Sequence, residues 1–194
     1  MTLYKSIYIC TTMYPRIVEQ KLKNYLNSPQ SKIFFLWGPR RSGKTTLLKK
    51  IATELGIRYF NFDILQDREL FIPDREILAK LAQQYPIILI DEVQTYPSVT
   101  TTLKILHDEF TVKIIATGSS ELRRKGSEEF DTLAGRYIEE YCVPLSVTEI
   151  SQAANPLDAI TPTYKSALAE KLTTFGSYPE IFSSENEQEK ISGL

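Results

Sequence analysis

Two cysteines and one histidine are the only thiols and imidazole in this 194-residue chain. Cys10 and Cys142 stand far apart and in no metal-ligand spacing, which argues against a disulfide framework and against a zinc site. His107, alone, rules out a histidine cluster for a metal within the chain. Net charge is also nearly missing. The 23 Lys+Arg balance 24 Asp+Glu to leave −1, so no broad basic field marks a nucleic-acid binder. No apolar run approaches the roughly 18 residues of a membrane span. The opening "MTLYKSIYICTTMYPR" has an apolar part too short and too interrupted for a secretory signal. These absences predict a cytoplasmic protein with no membrane partner. Internal repeats and low-complexity tracts are absent too, as is the N-K-x-D pattern by which GTPases read guanine.

What is present is the hydrophobic content of an ordinary globular protein, 42%, on a chain long enough for one α/β domain and part of a second. Five segments read as strands: residues 32–37, 58–63, 87–91, 112–117 and 137–143. The third and fourth are almost continuously apolar, as central strands covered on both faces are. Helical stripes separate them, Leu47, Leu48, Ile51 and Leu55 in one, Ile77, Leu78, Leu81 and Tyr85 in the next, and Val99, Leu103, Leu106 and Phe110 in the third. A further helix is predicted over residues 15–27. Strands alternating with helices imply a parallel sheet with helices on both faces and ligands beyond the carboxyl ends of the strands.

One segment meets that last rule directly. "GPRRSGKT", from Gly38 to Thr45, fits G-x-x-x-x-G-K-S/T at every fixed position, with an apolar strand before it and an amphipathic helix after it. Gly38 and Gly43 let the backbone curl, so that the N–H groups of Pro39's successors Arg40, Arg41 and Ser42 and of Lys44, Thr45 and Thr46 face one anion. The helix start adds its positive dipole end. Lys44 is expected on the β- and γ-phosphates, and the Thr45 hydroxyl on Mg²⁺. Arg40 either solvates the loop or reaches a phosphate or a partner chain. Arg41 is read as solvating it.

"IILIDEVQ" ends an apolar strand in two carboxylates, which packing alone does not ask for. Asp91 is placed to hold the water shell of Mg²⁺, and Glu92 to polarise a water for attack on the γ-phosphate. A dedicated base for water disfavours transfer to a small-molecule acceptor. The combination points to ATP hydrolysis, releasing ADP. A nucleotide-gated binding module with negligible turnover, positioning a partner domain or nucleic acid, is the second reading.

The fourth strand runs into Thr117, Ser119 and Ser120. Ser119 is either a hydroxyl that senses the γ-phosphate or attacking water, or the cap of a short helix "SELRRK". Arg136, just before the fifth strand, is either a guanidinium that stabilises γ-phosphate charge, from its own chain or a neighbouring subunit, or one half of a surface salt bridge. Arg123, Arg124 and Lys125 are read as a solvated face, with a nucleic-acid contact as the alternative. His107, Trp37 and Phe35 are read as structural, and Asp63 as a turn residue.

Taken in order, "YPR", "GPRRSGKTTLL", "FDIL", "IILIDEVQTYP", "LKILHD", "KIIATGSS", "LAGRY", "VPLSVTEI" and "FGSYPEI" span nearly the whole chain. With these pieces the chain resembles the AAA+-like P-loop ATPases of bacteria and archaea that carry an additional strand and a catalytic glutamate. It is most similar to N-terminal ATPase modules followed by a nuclease-like C-terminal domain of unknown function. The resemblance implies a three-layer α/β/α P-loop core with a five-stranded parallel sheet in the order 5-1-4-3-2. It also implies a sensor role for the serines after the fourth strand and matches Arg136 to the family's "LAGR" arginine. The expected division is an N-terminal segment and helix over 1–30, the ATPase core over 31–150, and a helical linker over 151–194. The polar tail "SSENEQEKISGL" predicts that the sequence stops short of the C-terminal domain.

Overall fold

The computed structural model describes residues 14–119, 132–154 and 161–183. By their contacts the residues divide into two units, Arg16–Pro144 and the pairing of Met1–Pro15 with Leu145–Leu194.

The larger unit holds a five-stranded, wholly parallel sheet. Its strands are β1 (Ile33–Gly38), β2 (Tyr59–Asn61), β3 (Ile87–Asp91), β4 (Lys113–Ser119) and β5 (Tyr137–Tyr141). Their order is β2-β3-β4-β1-β5, the expected 5-1-4-3-2 read from the other edge. Strand periodicity explains the layers. In β1, Ile33, Phe35 and Trp37 join one apolar cluster while Phe34 and Leu36 join another, because successive side chains point to opposite faces. On the first face lie α4 (Arg75–Gln84) and α5 (Val99–Glu109), contributing Leu78, Leu81, Val99, Leu103 and Leu106. The second face is covered by α1 (Ile17–Asn27) and α2 (Lys44–Leu55), through Val18, Leu22, Leu47, Leu48 and Ile51. Phe35 and Trp37 stack at 5.1 Å between ring centres, both fully buried, as expected of core residues.

Long-range polar contacts anchor α1. The Lys113 ammonium donates to the carbonyls of Tyr25, Ser28 and Gln30 at 3.0, 2.6 and 2.5 Å, closing the helix end. The Tyr25 hydroxyl meets both the N–H and the C=O of Ile114, and burial pushes its phenol up to about 12.

Some boundaries moved. β2 is three residues long rather than six, since Asn61 turns the chain by accepting from the Asp63 N–H. A short helix not foreseen in the sequence, α3 (Leu65–Glu69), follows it. β4 runs two residues past Thr117, because Gly118 and Ser119 pair with Trp37 and Gly38 of β1. That extension places Ser119 in the sheet and beside Gly38, where the Gly38–Thr45 segment begins. The helix "SELRRK" and the basic run Arg123, Arg124 and Lys125 lie outside the described residues.

In the smaller unit, Leu145, Ile150, Leu168 and Phe182 form a separate apolar cluster, with Tyr14 edge-on to Phe182. Its helices are α6 (Val147–Ala153), α7 (Pro162–Phe175) and α8 (Pro179–Ser183). Ser146 and Glu149 cap α6 reciprocally, each side chain accepting from the other residue's N–H. No helix among the described residues is long and apolar enough to cross a membrane.

Candidate functional site

β1 has β4 on one side and β5 on the other, so the chain order reverses at β1 and leaves a crevice beyond its carboxyl end. The segment Gly38 to Thr45 occupies that crevice. Arg41 and Gly43 both adopt left-handed backbone, with φ of 62° and 98°. Gly38 is needed for close packing, since a Cβ there would lie 2.1 Å from the Cys142 carbonyl oxygen. The Ser42 carbonyl is held by the Arg16 guanidinium at 2.6 Å, and the same guanidinium reaches the Val143 carbonyl. The Cys142 thiol donates to that Ser42 carbonyl at 3.4 Å.

Lys44 is buried and donates to the carbonyls of Gly38 and Pro39 at 2.9 and 2.8 Å. Burial lowers its pKa, against the raising effect of the Glu92 and Asp91 carboxylates. The Ser42 hydroxyl is fully buried with no hydrogen-bond partner. A desolvated ammonium, an orphaned hydroxyl and a helix whose first turn has no capping side chain thus belong to one short segment, and an anion bound there would compensate the ammonium and the uncapped N–H groups. The residues present therefore fit a phosphate group. Arg40, Arg41 and Thr46 are exposed at the loop's rim.

At the end of β3 the Asp91 carboxylate is buried among three hydroxyls. Thr45 and Tyr59 donate to one oxygen at 2.7 Å each, and Thr117 donates to the other. Three charge-assisted hydrogen bonds offset the cost of burying this carboxylate. Burial and the Asp91 carboxylate together hold the Tyr59 phenol well above its ordinary pKa, so Tyr59 remains a donor. One hydroxyl and one carboxylate in contact fit a Mg²⁺ ion that arrives with phosphate oxygens and keeps its own waters. Among the described residues no group of three or more His, Cys, Asp or Glu could hold a metal ion by itself.

Glu92 leaves the strand in left-handed backbone, φ 55° and ψ 44°, which starts the 3₁₀ turn Val93–Thr95. Its carboxylate accepts from the Gln94 side-chain N–H, and the Gln94 side-chain oxygen Oε1 accepts from the Ser119 N–H at 3.3 Å. Ser119 is buried and paired in register with Gly38.

The structure thus brings Lys44, Thr45, Asp91, Glu92 and Ser119 to one end of the sheet. Arg136 is not among them. The Arg136 C=O accepts from Ile33 N–H at the start of β1, while the Gly38–Thr45 segment follows its end. At about 3.3 Å per residue the two ends of the strand are on the order of 15 Å apart. The Arg136 guanidinium instead grips Asp108 at 2.8, 3.1 and 2.9 Å, in the salt bridge anticipated as its alternative. Delivery of Arg136 to its own chain's loop is therefore not the arrangement seen. Arg136, and then His107, hold the Asp108 carboxyl down to about 2. A depressed folded-state value stabilises above the ordinary carboxylate range and is lost as pH falls through it. The melting-temperature gap between the parent and Asp108→Asn is therefore expected to narrow as pH falls from about 4 through about 2. A gap constant across that range would show that the pair contributes nothing, as many exposed pairs do.

Tyr59, Gln94 and Arg16 were not singled out in the sequence as site residues. Tyr59 lies in an apolar strand pattern, and nothing local points its hydroxyl at Asp91. Arg16 had a signal, the "YPR" box, but its target is 26 residues away.

Residues 30–151 match the family described as AAA domain. An uncharacterized protein of Methanocaldococcus jannaschii is 30% identical over 146 residues, which cover 69% of this chain and 30% of that protein. The chain therefore spans about a third of that relative's length. A solved structure of Pif1 helicases, described for DNA unwinding at forked double-stranded DNA, superposes with a TM-score of 0.46 at 16% identity. That alignment covers 81% of this chain and 52% of the other.

Proposed function

The chain belongs to the AAA domain family, and from that premise we propose that it binds ATP with Mg²⁺ and hydrolyses the β–γ phosphoanhydride bond. The observation that carries this reading is the contact of the Thr45 hydroxyl with the Asp91 carboxylate at 2.7 Å. It joins the phosphate loop to the acidic strand end across 46 residues. In this reading Lys44 exchanges its loop carbonyls for phosphate oxygens, and the N–H groups of the loop stabilise charge on the β- and γ-phosphates. Thr45 and Asp91 hold Mg²⁺, which when bound neutralises phosphate charge. Glu92 takes a proton from water as the water oxygen bonds to the γ-phosphorus. The bond from that phosphorus to the bridging oxygen breaks, and ADP and phosphate leave.

Arg136 is proposed to act from a neighbouring chain. Its partner Asp108 is half-exposed, and exposed ion pairs are worth little, so a phosphate could displace it at small cost. Self-association would then complete the site.

The test is ATP hydrolysis per chain, with Mg²⁺ and with a chelator, over a wide range of protein concentration. Turnover that needs Mg²⁺ and rises with concentration is the expected result. Turnover independent of concentration would remove Arg136 in trans. ATP binding with turnover no higher than in a Glu92→Gln chain would replace this reading by the nucleotide-gated binding module.

A further inference from the structure

One side chain stands between the two halves of the site and has no role in the mechanism above. Gln94 lies in the 3₁₀ turn after β3, half-buried, with its amide nitrogen on the Glu92 carboxylate and its amide oxygen on the Ser119 N–H. The partners decide the orientation of this amide. A carboxylate can only accept and a backbone N–H can only donate, so the reverse flip would lose both contacts.

Two further observations show that the bridge is built in. The Thr95 N–H and hydroxyl both donate to the Glu92 carbonyl, at 3.0 and 2.8 Å, which fixes the turn carrying Gln94 relative to Glu92. On the other side, β4 has glycine where Gln94 approaches. A Cβ on Gly118 would lie 2.8 Å from the Gln94 amide oxygen and 2.5 Å from Cζ3 of Trp37. Trp37 is fully buried and its indole N–H donates to Glu139, so it has little room to yield. A glycine at 118 thus leaves room both for the Trp37 ring and for the Gln94 amide oxygen beside the strand end. Ser119, in turn, pairs with Gly38, the first residue of the phosphate loop.

We propose that Gln94 is a positioning residue that couples the Glu92 carboxylate to the end of β4, and through Ser119 to the phosphate loop. The role rests on the ATPase reading, since it acts through Glu92. Without the amide, Glu92 keeps its chemistry but loses the contact that aims it. Turnover then falls while nucleotide still binds.

Two variants separate this role from simple support of the fold. Gln94→Met keeps the length of the side chain and removes both hydrogen bonds. Gln94→Glu keeps an acceptor for the Ser119 N–H but sets a second carboxylate against Glu92. Hydrogen exchange at the Ser119 amide, measured without nucleotide, reads the first contact, and kcat and KM for ATP read the second. In Gln94→Met, exchange at Ser119 is expected to speed up about five- to tenfold. Its kcat is expected to fall roughly tenfold with KM changed by less than about twofold. In Gln94→Glu, Ser119 stays protected and kcat falls as far. Parental kcat in Gln94→Glu would reduce Gln94 to a prop for β4 and overturn the proposal. Unchanged exchange in Gln94→Met would remove the bridge itself. A parent chain that hydrolyses ATP, is silenced by Glu92→Gln and is indifferent to both Gln94 variants would sink this role alone. A parent chain with no hydrolysis would sink the ATPase reading and this role with it.

Discussion

Glu92→Gln is expected to bind ATP as the parent does and to hydrolyse it about 10²- to 10⁴-fold more slowly, the range a positioned general base contributes. The substitution keeps the size of the side chain. It also keeps an oxygen to accept from the Gln94 amide, so the left-handed turn at Glu92 and the 3₁₀ segment after it have no reason to change. What is lost is the ability to take a proton. The affinity should hold because the groups proposed to grip phosphate, Lys44 and the loop N–H groups, belong to another segment. Single-turnover hydrolysis alongside equilibrium binding of a fluorescent ATP analogue separates the two effects. A parental rate of hydrolysis would end the assignment of Glu92 as base. A parallel loss of affinity would mean that Glu92 acts on nucleotide binding instead.

Lys44→Met carries the second large effect, on binding. Its ammonium is buried against two loop carbonyls and its charge is disfavoured by burial, so an arriving phosphate gains a nearly desolvated cation. Removing one partner of such a buried charge pair costs about 3–5 kcal/mol, or at least a hundredfold in affinity. The nucleotide-free protein should suffer little, since the variant keeps an unbranched apolar stem of similar length and gives up a desolvated charge. The expected signature is a melting temperature near the parental one that ATP no longer raises, where in the parent a ligand at 100 times its Kd adds about 2.7 kcal/mol. If ATP still raised it by the parental amount, the loop would bind phosphate without Lys44, and the site as drawn would be wrong. A collapse of the nucleotide-free protein would show that the two carbonyl contacts organise the loop itself.

Much of the fold is readable along the chain. The apolar runs of β1, β3 and β4 report strands covered on both sides, and the stripe Leu47, Leu48, Ile51 reports the helix that follows the loop. Even the alternation in "IFFLWG" that splits Phe35 from Phe34 between two layers can be counted by eye. The ends of elements were harder. β4 outlasts its own apolar run because its last two residues are held by β1, and a glycine and a serine carry no signal of that pairing. β2 is shorter than its pattern because an asparagine side chain turns the chain.

The site divides in the same way. Gly38, Gly43, Lys44, Thr45, Asp91 and Glu92 were singled out in the sequence because the chemistry proposed for them is local. A loop needs glycines at set intervals to wrap an anion, and an apolar strand that ends in two carboxylates declares them at once. Tyr59 and Thr117 on Asp91, Arg16 on the Ser42 carbonyl and Gln94 between Glu92 and Ser119 depend on which strands lie side by side and in what register. Arg136 shows the same limit from the other direction. Its residue type and its place before β5 are plain in the sequence, yet the parallel register sets it at the start of β1 beside Asp108, a strand's length from the loop. Residue chemistry and short-range periodicity are properties of neighbours in the chain, so the sequence by itself determined the layered α/β plan and marked out the Gly38–Thr45 segment and the Asp91–Glu92 pair. Which hydroxyls surround Asp91, what ties Gln94 to Ser119 and where Arg136 stands were decided only by tertiary structure, because contacts across 25 to 50 residues exist only once the sheet has closed.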